Sequence, residues 1–249
     1  MKRLLASAAL CIAGLAAPAQ AFDITAMSDD ERTAFRAEIR AYLLDNPEII
    51  IEAYQVYEER ATQAKAEAEK QTLAAYSAQM FEDPNSWVGG NPEGDIVLVE
   101  FMDYRCGYCR KAHEEVMQLL ELDGNIRFIV KEFPILGEQS VLASRFAIAT
   151  RMVAGDDAYE KVHNELMVFK GNIAEKSLKR LADKLDLDAG AIMAQMNAAE
   201  VDKIIGENHR LASAFQISGT PTFVLEDEFL RGYVPLADMM ELVAIAREG

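Results

Sequence analysis

Basic residues and long apolar runs are both scarce in this sequence. Lysine and arginine total 25 against 41 aspartates and glutamates, which gives a formal net charge of −16. Such acidity disfavours nucleic acid or an anionic membrane surface as a partner. The apolar run near the N-terminus extends only from Leu4 to about Ala17, whereas a membrane-spanning helix needs about 20 residues. We therefore expect no nucleic-acid partner and no retained membrane anchor.

The first 21 residues show the three parts of a secretory signal peptide. Lys2 and Arg3 form a short basic start, the apolar run follows, and Pro18 interrupts it just before the small-residue site Ala19-Gln20-Ala21. We expect cleavage after Ala21 and export to the periplasm. The mature chain would then begin with residue 22.

Cysteine and histidine are also rare, with three of each. Cys11 would leave with the signal peptide, so that Cys106 and Cys109 are the only cysteines of the mature chain. Structural disulfides of exported proteins usually link distant residues, whereas this pair would close a very small loop and is better suited to chemistry. The three histidines offer no second close ligand pair for a closed zinc site: His113, His163 and His209. We expect no metal and no cofactor.

Residues 22–90 are predicted to form a helical arm and its linker. Ser28 and Glu31 form a capping box at the start of a first helix. Asn46, as N-cap, and Pro47, at the first helical position, begin a second helix that runs to about Met80. A 3,4 spacing of mostly small residues runs from Tyr54 to Ala78, which is typical of a thin coiled-coil seam. This segment is either a solvated connector or a self-association arm, and we expect a homo-oligomer through residues 23–81.

Residues 91–249 have the pattern of one α/β domain. Ile96–Phe101 reads as a buried strand, Arg110–Leu122 as an amphipathic helix and Asn125–Phe133 as a second strand, which together predict a parallel βαβ unit. Apolar residues recur at helical spacing through about residues 138–215, where we expect an inserted helical subdomain. Two short strands then follow, at Thr222–Leu225 and Phe229–Tyr233, before a last helix over residues 236–247.

The motif Cys106-Gly107-Tyr108-Cys109 lies where the first strand ends and the helix begins. Unpaired N–H groups and the helix dipole favour a thiolate at Cys106. Cys109 is one turn further along the same helix face. We therefore predict that Cys106 forms the mixed disulfide and that Cys109 resolves it. Gly107 and Tyr108 are uncharged and would tune the couple.

Three other residues are candidates for the same site. Pro221 opens an apolar strand, and a cis bond before it would place the backbone of Thr220 beside Cys106, free to pair with an extended substrate. Glu100 lies within the first strand, where it is either on an exposed face or a buried acid that exchanges protons with Cys109. Lys131 is a conceivable partner for Glu100 on the next strand.

These residues together resemble the DsbA-like family of bacterial thiol–disulfide oxidoreductases. The resemblance covers about residues 95–249, including the helical insertion. It rests on these motifs: Glu100-Phe101, Cys106–Cys109, Phe133-Pro134 and Thr220-Pro221-Thr222. It implies an α/β protein with a thioredoxin fold interrupted by helices, in which Pro221 is cis, Cys106 is the nucleophile and Glu100 is the buried acid.

Within that family, two features are similar to the isomerase DsbC more than to the oxidase DsbA: Gly107-Tyr108 between the cysteines and Thr220 before the proline. Residues 23–81 are similar in layout to the suppressor-of-copper-sensitivity protein C group, in which some members join a helical oligomerisation arm to a DsbA-like domain. The resemblance therefore implies a disulfide isomerase or reductase. Its partners would be exported proteins with cysteines and a membrane thiol–disulfide electron-transfer protein.

Two alternatives stay open. A monomeric DsbA-type dithiol oxidase would use the same cysteines to form disulfides, and a membrane partner would reoxidise it. A non-enzymatic copper-binding or chaperone protein is the second alternative, because two thiolates bind Cu(I) readily.

Overall fold

The structure, a computed structural model, describes residues 24–248. The predicted signal peptide and Cys11 lie outside the described residues. The chain divides into two compact units, residues 1–62 and residues 63–249. A 3₁₀ turn at Ile24–Ala26 precedes helices α1 (Asp29–Asp45) and α2 (Glu48–Phe81). No described helix combines the length and the apolar character needed to cross a membrane.

The N-terminal unit is helical throughout most of its described part, as predicted. The Ser28 N–H donates to Glu31 Oε2 at 2.8 Å, and the Ser28 side chain caps the first turn of α1 in return. Asn46 ends this helix by donating its backbone N–H to Tyr42 O at 2.9 Å. Helix α1 buries none of its residues. Large apolar side chains are exposed in this unit, and they include Phe35, Ile39, Tyr42, Ile50, Ile51, Tyr54 and Tyr57.

The second unit is built on a five-stranded sheet of order β1-β3-β2-β4-β5. The strands are β1 (Trp87–Gly90), β2 (Ile96–Met102), β3 (Ile126–Glu132), β4 (Thr222–Leu225) and β5 (Glu228–Arg231). Strands β2 and β3 are parallel, and the other three pairings are antiparallel. The parallel pair is joined by α3 (Gly107–Asp123), so the predicted βαβ unit is confirmed.

Strand β1 is absent from the sequence prediction, which places a loop there. It pairs at the edge of the sheet, with Trp87 opposite Val130. The side chain of Trp87 folds over Gly89, where an added Cβ would lie 2.2 Å from the indole ring. The glycine that suggests a loop in the sequence is therefore the residue that makes room for the tryptophan.

Five helices separate β3 from β4, and a last helix follows β5. Their bounds are α4 (Glu138–Ala154), α5 (Asp156–Met167), α6 (Glu175–Lys184), α7 (Ala189–Gln195), α8 (Ala199–Ala214) and α9 (Leu236–Glu248). The main core lies between the sheet and α3, α4, α5 and α9. A second core covers the other sheet face, where Val99 and Phe101 pack with Leu73 and Met80 of α2 and Leu211 of α8. Because both faces are covered, nearly every side chain of β2 and β3 is buried.

Candidate active site

Cys106 occupies the N-cap position of α3, at the end of a tight turn that leaves β2. Its backbone N–H donates to Asp103 O at 3.0 Å. The buried Asp103 carboxylate accepts the N–H groups of Arg105 at 2.7 Å, Ile135 at 2.8 Å and Leu136 at 3.0 Å. One carboxylate thus holds the turn before Cys106 and the segment after β3 in a fixed relation.

The surroundings of Cys106 favour a thiolate. A hydrogen bond from Cys109 is the main cause, and the Thr220 side chain and the N–H groups of Cys109 and Tyr108 act in the same direction. Partial burial opposes them, and the pKa of Cys106 is lowered from 9.0 to about 5. At neutral pH the sulfur is therefore ionised and nucleophilic.

Cys109 has the opposite environment. Its side chain is fully buried. Burial is the main reason that its pKa is raised far above the ordinary value, and the neighbouring Cys106 and Glu100 add to the effect. The two cysteines thus differ as their predicted roles require: Cys106, which forms the mixed disulfide, is a thiolate, and Cys109, which resolves it, is a protonated thiol.

The Thr220–Pro221 peptide bond is cis, as the resemblance implies. Cys106 Sγ lies 3.0 Å from Thr220 O, which places the backbone before the proline directly against the sulfur. The Thr222 hydroxyl donates to Gly219 O at 2.9 Å, and the Gly232 N–H donates to Pro221 O at 2.9 Å. These bonds tie the loop to β4 and to the segment after β5.

Glu100 is buried, with 1% of its surface exposed. The sequence left open whether Glu100 lies on an exposed strand face or is buried, and the structure shows that it is buried. Burial, and then the charges of Cys106 and Glu132, raise its pKa from 4.5 to about 8. Its Oε1 atom has no hydrogen-bond partner among the described residues, so this carboxyl is free to accept or release a proton.

Lys131 does not pair with Glu100, and this interpretation was wrong. In the β2–β3 register, Lys131 lies opposite Phe101, whereas Glu100 lies opposite Val130. Adjacent residues of a strand point to opposite faces, so Lys131 is on the other side of the sheet. There its Nζ donates to Gln79 O at 2.6 Å and to Asp83 Oδ2 at 3.0 Å.

Sequence reasoning missed Glu132, a second buried carboxyl on the same sheet face as Glu100. It accepts hydrogen bonds from three hydroxyls: Ser144 at 2.6 Å, Tyr159 at 2.7 Å and Tyr104 at 2.8 Å. Burial raises its pKa to about 7, although the three hydrogen bonds act to lower it. Its signal in the sequence is its position two residues after Val130, which gives it the same facing as Val130, and the register places Val130 opposite Glu100.

The histidines lie outside the cysteine pair. Tyr104 donates its hydroxyl hydrogen to Glu132. In the contact of 3.0 Å between the Tyr104 hydroxyl oxygen and His163 Nδ1, the histidine N–H is therefore the donor. Burial, and then the charge of His113, lower the pKa of His163 to about 3, which keeps it neutral. His209 packs on Phe133, with ring centroids 4.8 Å apart. In residues 24–248 no three metal-ligating side chains are grouped as a metal site.

The surface beside the nucleophile carries an aromatic pair. The Tyr108 side chain is 65% exposed, and its ring lies 6.3 Å from that of Tyr233. Lys111 Nζ lies 3.9 Å from the centre of the Tyr233 ring, and the Tyr233 hydroxyl donates to Glu115. Gly107 is open to solvent, because an added Cβ would meet nothing within 4 Å. The two residues between the cysteines are therefore available to a bound partner.

Comparison with known proteins gives family matches for both units. Residues 97–244 match the DSBA-like thioredoxin domain, and residues 31–64 match the copper resistance protein ScsC N-terminal domain. A thioredoxin-like oxidoreductase from Silicibacter pomeroyi is 40% identical, with 69% of this chain and 98% of that one covered and a TM-score of 0.65. ScsC of Proteus mirabilis in a transitional conformation is 26% identical, with coverage of 88% and 96% and a TM-score of 0.64.

Curated relatives match over shorter parts. The thiol:disulfide interchange protein DsbC of Dickeya dadantii is 26% identical over 157 residues, which are 61% of this chain and 52% of that protein. Two Na(+)/H(+) antiporters NhaA, from Salinispora tropica and Salinispora arenicola, match over 55% of this chain, and the chain spans only 21% of their length. These matches therefore concern one region of those longer proteins.

The predicted α/β class, thioredoxin fold and helical N-terminal region are confirmed, and so is the predicted family of thiol–disulfide oxidoreductases. The structure also brings the seven predicted residues of the site together: Cys106, Gly107, Tyr108, Cys109, Thr220, Pro221 and Glu100. The chain belongs to the DSBA-like thioredoxin domain family.

Proposed function

We propose that this protein is a periplasmic thiol–disulfide oxidoreductase that isomerises or reduces the disulfides of exported proteins. The observation that carries the proposal is the contact of 3.0 Å between Cys106 Sγ and Thr220 O beside a cis proline, above a fully buried Cys109. A sulfur with a lowered pKa, a backbone carbonyl beside it and a second, buried thiol are what disulfide exchange can use.

The first step forms a mixed disulfide. The Cys106 thiolate attacks one sulfur of a substrate disulfide, the substrate S–S bond breaks, and the other substrate sulfur leaves as a thiolate. The Thr220 backbone, which lies against the sulfur, can pair with the substrate backbone as a neighbouring strand would. The arrangement therefore recognises extended backbone around the reacting cysteine.

The mixed disulfide has two fates. In isomerisation, another substrate thiolate attacks the substrate sulfur, so that Cys106 leaves unchanged and no electrons are transferred overall. In reduction, the Cys109 thiol loses its proton and attacks Cys106 Sγ, which releases a reduced substrate and leaves a Cys106–Cys109 disulfide. We assign the proton of Cys109 to the ionised form of Glu100, because its pKa of about 8 leaves a minor fraction of the carboxyl ionised near neutral pH and its Oε1 atom has no hydrogen-bond partner among the described residues.

After the substrate has been reduced, the Cys106–Cys109 disulfide must receive two electrons and one proton to restore the Cys106 thiolate and the Cys109 thiol. We propose that a membrane thiol–disulfide electron-transfer protein supplies the electrons. Gly107-Tyr108 and Thr220, which are similar to the corresponding residues of DsbC, favour a protein that is kept reduced in this way. The likeness to DsbC of Dickeya dadantii supports this choice.

We also propose that residues 23–81 assemble copies of the chain. The apolar side chains of α1 and the first turns of α2 are exposed, with Ile50 at 58%, Ile51 at 61% and Tyr57 at 65%. Burying such side chains against another copy is worth about 1.5–3 kcal/mol for each large one. The match of residues 31–64 to the copper resistance protein ScsC N-terminal domain supports this proposal.

Refolding of scrambled ribonuclease by the reduced full-length protein tests the activity. We expect recovery of ribonuclease activity with the wild type, none with Cys106→Ala, and trapped mixed disulfides with Cys109→Ala. A wild-type protein that only oxidises reduced peptides, and is monomeric by light scattering, would favour the dithiol oxidase instead. Chaperone activity or Cu(I) binding that survives in Cys106→Ala, without any exchange by the wild type, would favour the non-enzymatic alternative.

The assembly is tested separately by light scattering of the full-length protein. We expect a mass of more than one chain for the wild type and a lower mass for Ile50→Asp/Ile51→Asp, because two charges would have to be buried at the contact. The matched control is Glu58→Asp on the same helix, where a charge is already present. A single-chain mass for the wild type would rule out the assembly and leave the exchange chemistry untouched.

A further inference from the structure

We propose that a basic cleft beside Cys106 binds a carboxylate close to the reacting sulfur, so that the protein exchanges disulfides fastest with acidic substrates. This inference rests on the proposed function and names the substrate class of the same site. The cleft is shallow and largely open to solvent, with a volume of about 520 Å³, and it is lined by Arg105, Arg110, Gln139, Lys170, Gly171 and Asn172.

The lining of this basic cleft is unusual for the chain that contains it. It includes three cations and two side-chain amides and no acidic residue, although acidic residues outnumber basic ones by 41 to 25 in the sequence. A local excess of one charge sign inside a chain of the opposite sign creates a field that selects and orients ligands.

Hydrogen bonds hold the two arginines without neutralising them. Arg110 Nε donates to Met167 O at 2.7 Å and its Nη2 to Phe169 O at 2.6 Å. Arg105 Nη1 donates to Gly171 O at 3.2 Å. Carbonyl groups fix the planes of both guanidinium groups but carry no net charge, and among residues 24–248 no carboxylate pairs with these arginines or with Lys170.

The donors that remain can face a ligand. A guanidinium has five N–H groups, so Arg105 Nη2 and Arg110 Nη1 keep hydrogens that the carbonyls do not use. Gln139 Oε1 accepts the Ile173 N–H at 3.0 Å, which leaves its amide N–H groups available. Fixed planar donors of this kind match the two oxygens of a carboxylate.

The cleft is next to the nucleophile. Arg105 directly precedes Cys106, and the Arg110 N–H donates to Cys106 O at 3.1 Å, one helical turn further on. A substrate chain that runs past Thr220 in extended form advances about 3.3 Å per residue. Because Arg105 of the cleft adjoins Cys106 in the chain, we expect an aspartate or glutamate within about three residues of the substrate cysteine to reach the cleft while the sulfur reacts.

Disulfide exchange with matched peptides tests this inference. Each peptide carries one cysteine as a mixed disulfide with thionitrobenzoate, flanked by Asp in one peptide, Asn in the second and Lys in the third. Formation of the mixed disulfide with Cys106 releases thionitrobenzoate, which is followed by absorbance. At low ionic strength we expect the Asp peptide to react about fivefold faster than the Asn peptide, the upper range for one exposed ion pair of about 1 kcal/mol, and the Lys peptide to react slowest.

Lys170 is the residue to change, because it is exposed. Lys170→Gln should reduce the Asp-to-Asn rate ratio, and Lys170→Glu should reduce it further and raise the Lys-to-Asn rate ratio above its wild-type value, which a merely structural role would not do. Lys179→Gln, an exposed lysine on α6, is the matched control and should keep the wild-type ratio. High salt should abolish the preference, because it screens exposed charges.

The outcomes separate the two proposals. Equal rates for the Asp and Asn peptides would overturn the inference and leave the exchange activity standing. No reaction with any peptide would overturn the proposed function itself. Oxidised glutathione, which carries carboxylates near its disulfide, is a further arm: a dependence on Lys170 with glutathione and not with the Asp peptide would overturn the assignment to acidic peptides.

Discussion

Glu100→Gln replaces a buried carboxyl with a neutral side chain of nearly the same shape and so tests the electrostatics beneath the cysteines. Burial, the charge of Cys106 and the charge of Glu132 raise the pKa of Glu100 from 4.5 to about 8. Between these two pH values the folded protein keeps a proton on Glu100 that the unfolded chain releases. The free energy of unfolding must therefore fall as the pH rises through this window.

The interval from 4.5 to about 8 corresponds to about 5 kcal/mol, at about 1.4 kcal/mol for each pH unit. Glu100 is almost completely buried, so solvent screening does not reduce this figure much. Glutamine carries no charge at any pH. The variant should therefore match the wild type near pH 4.5 and exceed it by up to about 5 kcal/mol above pH 8.

Urea unfolding of both reduced proteins between pH 4.5 and 9 measures this difference. Cys106 and Glu132 titrate in both the wild type and the variant. Taking the difference between the two free energies of unfolding therefore reduces the contribution of these two groups. Glu121→Gln, at an exposed position of α3, controls for the loss of one surface carboxylate. A variant that is less stable than the wild type at every pH by the same amount would refute the assignment of a buried, protonated Glu100.

Three further outcomes follow from the same structure. Alkylation of Cys106 by iodoacetamide should have its midpoint near pH 5, because its lowered pKa makes the thiolate dominant above that value; a midpoint near pH 9 would contradict this. Lys131→Met should reduce the free energy of unfolding in urea by about 3 kcal/mol, because it breaks the buried pair with Asp83, and Lys131→Met/Asp83→Asn should recover part of the loss. Tyr104→Phe removes one donor to Glu132 and should lower the free energy of unfolding, measured by thermal denaturation, by about 1–3 kcal/mol. An unchanged melting curve would mean that this hydrogen bond does not contribute to stability.

Most of the fold follows from local patterns in the sequence. The apolar run at residues 96–101, the helix after the cysteines and the helical spacing of residues 138–215 correspond to β2, α3 and the helices α4 to α8. Strand β1 could not be predicted in this way, because four residues with two glycines carry no periodic signal. Its pairing with β3 is a tertiary contact, which a single sequence does not display.

The site shows a similar division. The cysteine motif and the proline loop are visible as motifs, because their chemistry depends on residue type and spacing. The environment of Glu100 depends on what covers the strand: alternation normally marks one exposed face, but here helices cover both. Lys131 was assigned to the wrong face because the register of β3 against β2 is fixed only in three dimensions.

The stack around Trp87 has a consequence for spectroscopy. Trp87 is the single tryptophan of the sequence, and it is only 5% exposed. Its ring lies 5.4 Å from that of Tyr159 and 6.0 Å from that of His163, both on α5. Its fluorescence therefore reports on one joint, where the edge of the sheet meets the inserted helices. If that joint loosened while the rest of the sheet stayed folded, Trp87 would become more exposed to water and its emission would shift to longer wavelengths. Trp87 fluorescence therefore measures how tightly the inserted helices pack against the edge of the sheet.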